Sequence, residues 1–325
     1  MKIIGIGNAL VDVLLRLESD KTLETIDIRK GSMDLIDREK MFAIRAAQQD
    51  LERSVAPGGS VANSMRALGE LGAEIGYIGK VGDDAVGEFY ETELTKAGIT
   101  THLIKVSGET GSSTVLISPD GERSMATFLG PAATLVPDEL IEEVIADYDC
   151  IYIEGYLIFN EALFRRALEL GKKHGLWIAL DLASFNIVEY NLELLREVIP
   201  AYVDVLFSNE SEAEAFTGQP ATEAVRTIAK QVQISVVTMG KEGALIGVGE
   251  QVVSIPVSGG VAVDTTGAGD HFSAGFLYGF TRKASIAQSG QIGSLLAGHI
   301  VEVVGAKIPD HCWEQIKLKV DAILA

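Results

Sequence analysis

Short apolar runs alternate with stretches of helical period along most of the chain. Residues 2–6, 73–79, 150–153, 177–181, 203–208 and 234–239 are nearly continuous in apolar residues, as strands buried on both faces must be. Between them the 60s to low 70s, 85–97, 137–146, 160–174, 191–198, 210–217 and 221–231 carry apolar positions at helical spacing. Strands separated by helix-length segments predict βαβ units and a mostly parallel sheet covered on both sides. The last third predicts strands at 244–247 and 251–255, then helices at about 268–282, 285–303 and 309–324.

Two segments break this order. Residues 12–37 and 101–128 alternate in the β manner, with turn signals at Ser-Gly and Pro-Asp-Gly-Glu. Each leaves and re-enters the α/β body, so together they predict a small second sheet over the strand ends. Ligands of open α/β sheets bind beyond the C-terminal ends of the strands, which would make that sheet a lid. The expected division is a core of 1–11, 38–100 and 129–325 and a β lid of 12–37 and 101–128.

Composition narrows the class. The 325 residues are 47% hydrophobic and 22% charged, which excludes global disorder and a collagen-like or disulfide-built chain. Forty-six acidic against 27 basic residues leave a net charge of −19, a surface that repels phosphate backbones and argues against nucleic-acid partners. An anionic ligand would therefore need a local pocket of backbone amides or a metal ion. Cys150 and Cys312 offer no zinc spacing and suit a reducing compartment. The apolar start from Ile3 to Leu15 is interrupted by Asn8 and Asp12, so it reads as a buried first strand and not as a signal peptide. No run approaches the ~18 apolar residues of a membrane helix. The expectation is a cytoplasmic protein with no membrane partner.

The richest segment for chemistry is Asp264-Thr265-Thr266-Gly267-Ala268-Gly269-Asp270, which leads into a helix marked by Phe272, Phe276 and Gly279. Gly267-Ala268-Gly269 places unencumbered amides at a helix N-terminus, an anion hole suited to phosphate. Asp270 in the first turn would sit beside that anion, placed to accept a proton from an attacking hydroxyl. Alone, the same residues also fit a tight turn followed by an acid that the helix dipole favours. His271, next in line, reads as a solvent-facing first-turn residue. A second glycine-rich entry, Pro57-Gly58-Gly59-Ser60-Val61-Ala62-Asn63, offers a hinge and, at Asn63, a donor and an acceptor for a polyol. Asn8 and Asp12 emerge from the first strand where a carboxylate can take two adjacent hydroxyls, though each also fits a turn or cap. In Ser208-Asn209-Glu210-Ser211-Glu212, Glu212 is a candidate holder of Mg²⁺ through water, or simply an acid in a helical first turn. Thr238-Met239-Gly240-Lys241-Glu242-Gly243 fits a nucleotide-phosphate loop or an ordinary hairpin. Leu10 stands where a dinucleotide fingerprint needs its third glycine, and no P-loop, His-Glu-x-x-His or Gly-x-Ser-x-Gly occurs.

With these residues in view, the chain resembles the PfkB carbohydrate-kinase family of the ribokinase-like superfamily. PGGSVANSMRALGELG with GYIGKVGDDAVGE matches one family signature and DTTGAGDHFSAGFL the other, with NESE between them. The resemblance implies a ribokinase-like three-layer α/β/α sandwich with a mostly parallel central sheet and a small β-sheet lid. It implies transfer of the γ-phosphate of ATP, with Mg²⁺, to a primary hydroxyl of a sugar or nucleoside. Carried over, Asp270 is the base and Gly267, Ala268 and Gly269 form the anion hole. Asn8, Asp12, Gly58, Gly59 and Asn63 hold the acceptor, and Asn209, Thr238, Gly240, Gly243 and Thr265 line the ATP site. Glu212 lies near the magnesium, while carbonyls around Asp264 and Thr266, with the Val304-Gly305-Ala306 turn, would take K⁺. Some members dimerise through the lid, which leaves a homodimer open.

Several details resemble the adenosine-kinase branch. Gly7 to Asp12 is similar to its opening motif, and Arg123-Ser124-Met125 followed by Leu129-Gly130-Pro131-Ala132-Ala133 to its lid-return segment. Arg123 then reaches the transferring phosphate or stays solvated. Tyr156 and Phe185 stand near positions where that branch sets aromatics against a purine, or they pack at a rim. The alternatives are a kinase of a free or phosphorylated sugar and, from another class, a non-catalytic sugar- or nucleotide-binding sensor. The failed fingerprint sets aside a dehydrogenase.

Overall fold

The structure, a computed structural model, describes residues 1–31, 33–47, 53–120 and 123–325. In chain order its strands are β1 (Ile3–Ile6), β2 (Leu10–Arg16), β3 (Met33–Leu35), β4 (Arg53–Gly58), β5 (Ile75–Gly82), β6 (Ile99–Val106) and β7 (Gly111–Ile117). There follow β8 (Arg123–Phe128), β9 (Cys150–Glu154), β10 (Trp177–Asp181), β11 (Val205–Asn209), β12 (Ile234–Thr238), β13 (Ala244–Val248) and β14 (Gln251–Ile255).

The large sheet runs β14-β13-β12-β11-β10-β9-β1-β5-β6. From β6 to β12 every pairing is parallel, and β13 and β14 add an antiparallel edge. Alternate residues of a strand feed opposite cores: Ile3, Cys150, Tyr152 and Ala179 pack on one face, Ile4, Ile151, Ile153 and Leu180 on the other. Burial on both faces is why these strands read as unbroken apolar runs. Helices Ser60–Glu70, Ala268–Thr281 and Ile286–Ile300 cover the first face, and Glu161–His174, Leu192–Tyr202 and Ala221–Ala229 the second. This is the expected three-layer α/β/α sandwich.

The small sheet has the order β3-β8-β7-β2-β4. Its outer face packs Leu15, Leu116 and Ala126 against Ile44 of the helix Arg38–Ala47. Two strands lie elsewhere than the alternation suggested. Residues 99–106 pair with β5 in the large sheet instead of joining the flap. An edge strand of that sheet is only half covered, so it shows the same alternation as a flap strand. Residues 53–58, expected in the core, pair antiparallel with β2 in the small sheet. The helix expected over 137–146 is instead a 3₁₀ turn, Pro137–Glu139, and a short helix, Glu142–Ala146. Glu139 turns down to the buried Lys80 ammonium at 2.7 and 2.9 Å and also accepts from the Val136 amide at 2.9 Å, while Leu140 and Ile141 stay extended.

Candidate active site

A cavity of about 610 Å³ lies between the C-terminal ends of the parallel strands and the inner face of the small sheet. Its floor is built by residues that end or follow strands: Asn8, Glu154, Tyr156, Asp181, Asn209 and Thr238. Its roof comes from Leu10 and Asp12 of β2, Ser113 of β7, and Met125 and Thr127 of β8. The pleat puts alternate residues of a strand on the same face, which is why these pairs are spaced by two.

Asp270 sits in the first turn of the helix Ala268–Thr281 at one side of this cavity. Its Oδ1 accepts from the Ser60 hydroxyl at 2.9 Å and its Oδ2 from Asn63 Nδ2 at 2.9 Å. Ser64 Oγ also donates to the Asp270 carbonyl at 2.8 Å. The two glycine-rich entries, distant in sequence, are thus hydrogen-bonded to each other. Gly267 precedes the helix in the left-handed region at φ 72°, a conformation that favours glycine. The Ala268 amide donates to the Thr265 carbonyl at 3.2 Å, so it closes the turn. Among the described residues, the amides of Gly267, Gly269 and Asp270 have no acceptor. Gly267, Gly269 and Asp270 all border the cavity, and the helix dipole adds partial positive charge at the same end.

His271 differs from the solvent-facing reading: it is 2% exposed. Its Nδ1 donates to the Gly267 carbonyl at 2.8 Å, and burial holds the ring down to about 4, hence neutral. The helix has no solvent face here, since every residue from His271 to Gly279 is buried.

Two carboxylates of the site are absent from the sequence reading. Glu154, 1% exposed, ends β9 and accepts from Asn8 Nδ2 at 2.7 Å, Asn8 N at 3.3 Å and Val61 N at 3.4 Å. Asp181 ends β10, where it accepts from the Ala183 amide at 2.7 Å and the Tyr152 hydroxyl at 3.2 Å. Burial and then the Asp181 charge push Asp270 up to about 7, with Asn63 and Ser60 pulling the other way. Burial likewise pushes Glu154 up to about 7 against the Asn8 bonds. Asp181 and Glu212 are both raised, first by burial, and the Asp181 charge adds to the rise of Glu212.

Of the other residues singled out from sequence, Asn8, Asp12, Gly59, Asn63, Tyr156, Asn209, Glu212, Thr238 and Thr266 border the cavity. Gly58 and Gly59 serve close approach: a Cβ on Gly58 would land in the Asp12 carboxylate, and one on Gly59 against the Asn8 carbonyl. Asn209 and Glu212 form a helix capping box, with both Glu212 oxygens accepting from Asn209 at 2.8 Å. The rest lie elsewhere. Gly240 and Gly243 shape the tight turn between β12 and β13, outside the cavity wall. Asp264 is buried and accepts from the amides of Thr266 at 2.8 Å and Gly305 at 2.7 Å; with Thr265 it borders a second groove, against Arg16 and Ser118. Phe185 is 47% exposed and not in the wall, whereas Phe159 is. The Arg123 side chain lies outside the described residues.

A family model described as pfkB family carbohydrate kinase matches residues 21–312. The chain belongs to that family. An uncharacterized sugar kinase of Archaeoglobus fulgidus is 31% identical over 248 residues, 74% of this chain and 96% of that protein. A probable sugar kinase from Rhizobium etli has the same fold at a TM-score of 0.89, with 29% identity and 98% of each chain covered. Adenosine kinase from Sinorhizobium meliloti gives a TM-score of 0.86 and 30% identity, over 94% of this chain and 95% of that one. As a pfkB kinase with the ribokinase-like fold, the chain is a phosphotransferase with a hydroxyl acceptor. Membership implies ATP as donor, with Mg²⁺. No helix among the described residues is long and apolar enough to cross a membrane.

Proposed function

We propose that this pfkB kinase phosphorylates a primary hydroxyl of a nucleoside or sugar, with Asp270 as the base. The observation that carries the reading is the meeting, at one edge of the cavity, of a held carboxylate and unbonded helix N-terminal amides. Asp270 uses one lone pair on each oxygen for Ser60 and Asn63, so an acceptor O–H can be received without breaking either bond. The carboxylate takes the proton as the acceptor oxygen attacks the γ-phosphorus in line, and ADP leaves. Charge building on the transferring phosphoryl meets the amides of Gly267, Gly269 and Asp270. Losing one such preorganised donor typically costs about 10²–10³-fold in rate. A base near 7 is matched to neutral pH: ionised often enough to act and basic enough to take the proton. The small sheet, as a lid, keeps water from competing for the phosphoryl group.

The donor set fits Mg²⁺. Glu154, Asp181, Glu212 and Asp270 crowd one cavity whose described wall carries no Lys, Arg or His, so a bound cation would meet carboxyls that have no basic partner there and would favour their ionised forms. No three His, Cys, Asp or Glu among the described residues could hold a metal ion directly, which suits an ion bound mainly by phosphates and reached by Glu212 and Asp181 through water. When bound, Mg²⁺ supplies charge neutralisation to the phosphates.

For the acceptor, the apolar part of the wall supports a nucleoside. Leu35, Leu129, Ala132, Leu135, Leu157 and Phe159 stand with Tyr156 on the cavity wall, an apolar surface that suits the face of a base and not a free pentose, which carries hydroxyls all round. ADP release with ATP and Mg²⁺ across adenosine, inosine, ribose, fructose and fructose-6-phosphate, with and without K⁺, tests the reading. Adenosine should respond most strongly, and Asp270→Asn should lower its turnover by orders of magnitude. Near-normal turnover of that variant would remove Asp270 as the base.

A further inference from the structure

Arg66 is an ionised group in an unusual place. It belongs to the helix Ser60–Glu70, is 7% exposed, and among the described residues has no carboxylate within ion-pair distance. Burying a guanidinium without a counter-ion is costly, so its hydrogen bonds indicate what it is there to hold. Both go through Nη1: to the Pro57 carbonyl at 2.8 Å and to Asn63 Oδ1 at 3.4 Å. Asn63 lies one turn back on the same helix, and its other amide atom, Nδ2, is the group that donates to Asp270.

The chemistry of the three partners allows one arrangement. A guanidinium only donates and an ionised carboxylate only accepts, so the Asn63 amide must present oxygen to Arg66 and nitrogen to Asp270. Pro57 is the other half of the construction. It lies in β4 of the small sheet, directly before Gly58 and Gly59, and the Gly58 carbonyl is itself held by the buried Tyr90 hydroxyl at 3.2 Å. One nitrogen of Arg66 therefore ties the small sheet's entry into the core to the amide that touches the base. The charged and titratable groups around Arg66 are Tyr90, Asp12, Glu93, Glu70 and His271, with Lys96, Lys307 and Asp310 on the same groove; those around Asp270 include Asp181, Glu154, Glu212, Tyr152 and Tyr156.

We propose that Arg66 is a positioning residue, which fixes the orientation of the Asn63 amide so that its NH₂ stays on Asp270. Its guanidinium touches neither substrate nor phosphate and acts through Asn63 alone. The proposal deepens the reading of Asp270 as the base.

The test reads the Asp270 carboxyl directly and needs no acceptor. The full-length chain is labelled with ¹³C-carboxyl aspartate, and the Asp270 resonance is assigned by its loss in Asp270→Asn. Its titration midpoint is then compared in wild type, Arg66→Met, Asn63→Ala and the double variant. A hydrogen bond that stabilises the ionised form lowers the midpoint, so loosening it in Arg66→Met should raise the midpoint by about 1 pH unit. In the Asn63→Ala background, Arg66→Met should then add no further rise. A midpoint unchanged in Arg66→Met, with only a lower Tm, would make Arg66 a purely structural residue and overturn the proposal. A rise that persists in the Asn63→Ala background would overturn it too, since Arg66 would then act by its charge. Failure of the base assignment would appear separately, as turnover surviving in Asp270→Asn.

Discussion

Replacing Asp270 with Asn should flatten the pH dependence of stability. Folding raises this carboxyl from an ordinary 3.8 to about 7. The folded state therefore holds the proton more tightly than the unfolded chain, and stability falls as pH rises from about 4 through about 7. The rise spans about 3 pH units, which at 1.36 kcal/mol each is about 4 kcal/mol when complete, roughly 2.6 of it between pH 5 and 8. Asp270 is only half-buried and borders a cavity that water enters, so we halve this to about 1.3 kcal/mol. Glu154, Asp181 and Glu212 are shifted the same way, so the wild-type slope is steeper than Asp270 alone produces. The assay is urea unfolding by tryptophan fluorescence at half-unit steps from pH 5 to 8, without ATP or Mg²⁺. Asn cannot receive both Ser60 and Asn63 as a carboxylate does, so the absolute stability of the variant shifts by about 1 kcal/mol for that reason alone. The slope is the informative quantity. Wild type should lose about 1.3 kcal/mol more than Asp270→Asn across the range. Parallel curves would mean that Asp270 titrates as an ordinary carboxylate and that burial does not tune it.

Two further outcomes follow from single contacts. Gly58 does not use a left-handed φ, so Gly58→Ala leaves the backbone unstrained while driving its Cβ into the Asp12 carboxylate. The acceptor KM should rise by about tenfold or more, the ~1–3 kcal/mol of one mispaired polar contact, while the KM for ATP stays put; an unchanged acceptor KM would take Asp12 out of acceptor binding. Lys80, with 8% side-chain exposure, holds Glu139 and the Thr134 carbonyl at 3.0 Å. Lys80→Met should destabilise the fold by about 2 kcal/mol, below the full loss for a buried pair because Glu139 is 26% exposed and can hydrate. The same change loosens the 130–139 segment that carries Ala132 and Leu135 of the cavity wall, so acceptor KM should rise with it; a Tm equal to wild type would show the pair to be inert.

The parts of this protein that could be read from the sequence are those in which one local pattern has one physical cause. Residues 150–153 and 177–180 are apolar throughout because both faces of the sheet are covered, and runs of only four or five residues between helix-length segments fit strands better than buried helices. The strands Ile99–Val106 and Arg53–Gly58 exchange places with expectation because half-burial looks alike on an edge and in a flap. Glu154 and Asp181 went unseen for a different reason. A single acid closing an apolar strand looks like a terminator, and the Asn8 that gives Glu154 its role is 146 positions away, brought near only by the pairing of β1 with β9. For His271 a usable signal did exist: Phe272, Ala274, Phe276 and Leu277 leave no polar stripe for an exposed first turn to belong to. Asn209 and Glu212 show a deeper limit. The capping reading and the cavity reading looked like competitors, yet the helix-start hydrogen bonds are what hold Glu212 at the cavity wall. Where one interaction both ends a strand and places a charged group, sequence grammar identifies the residues but cannot separate their structural role from their chemical one.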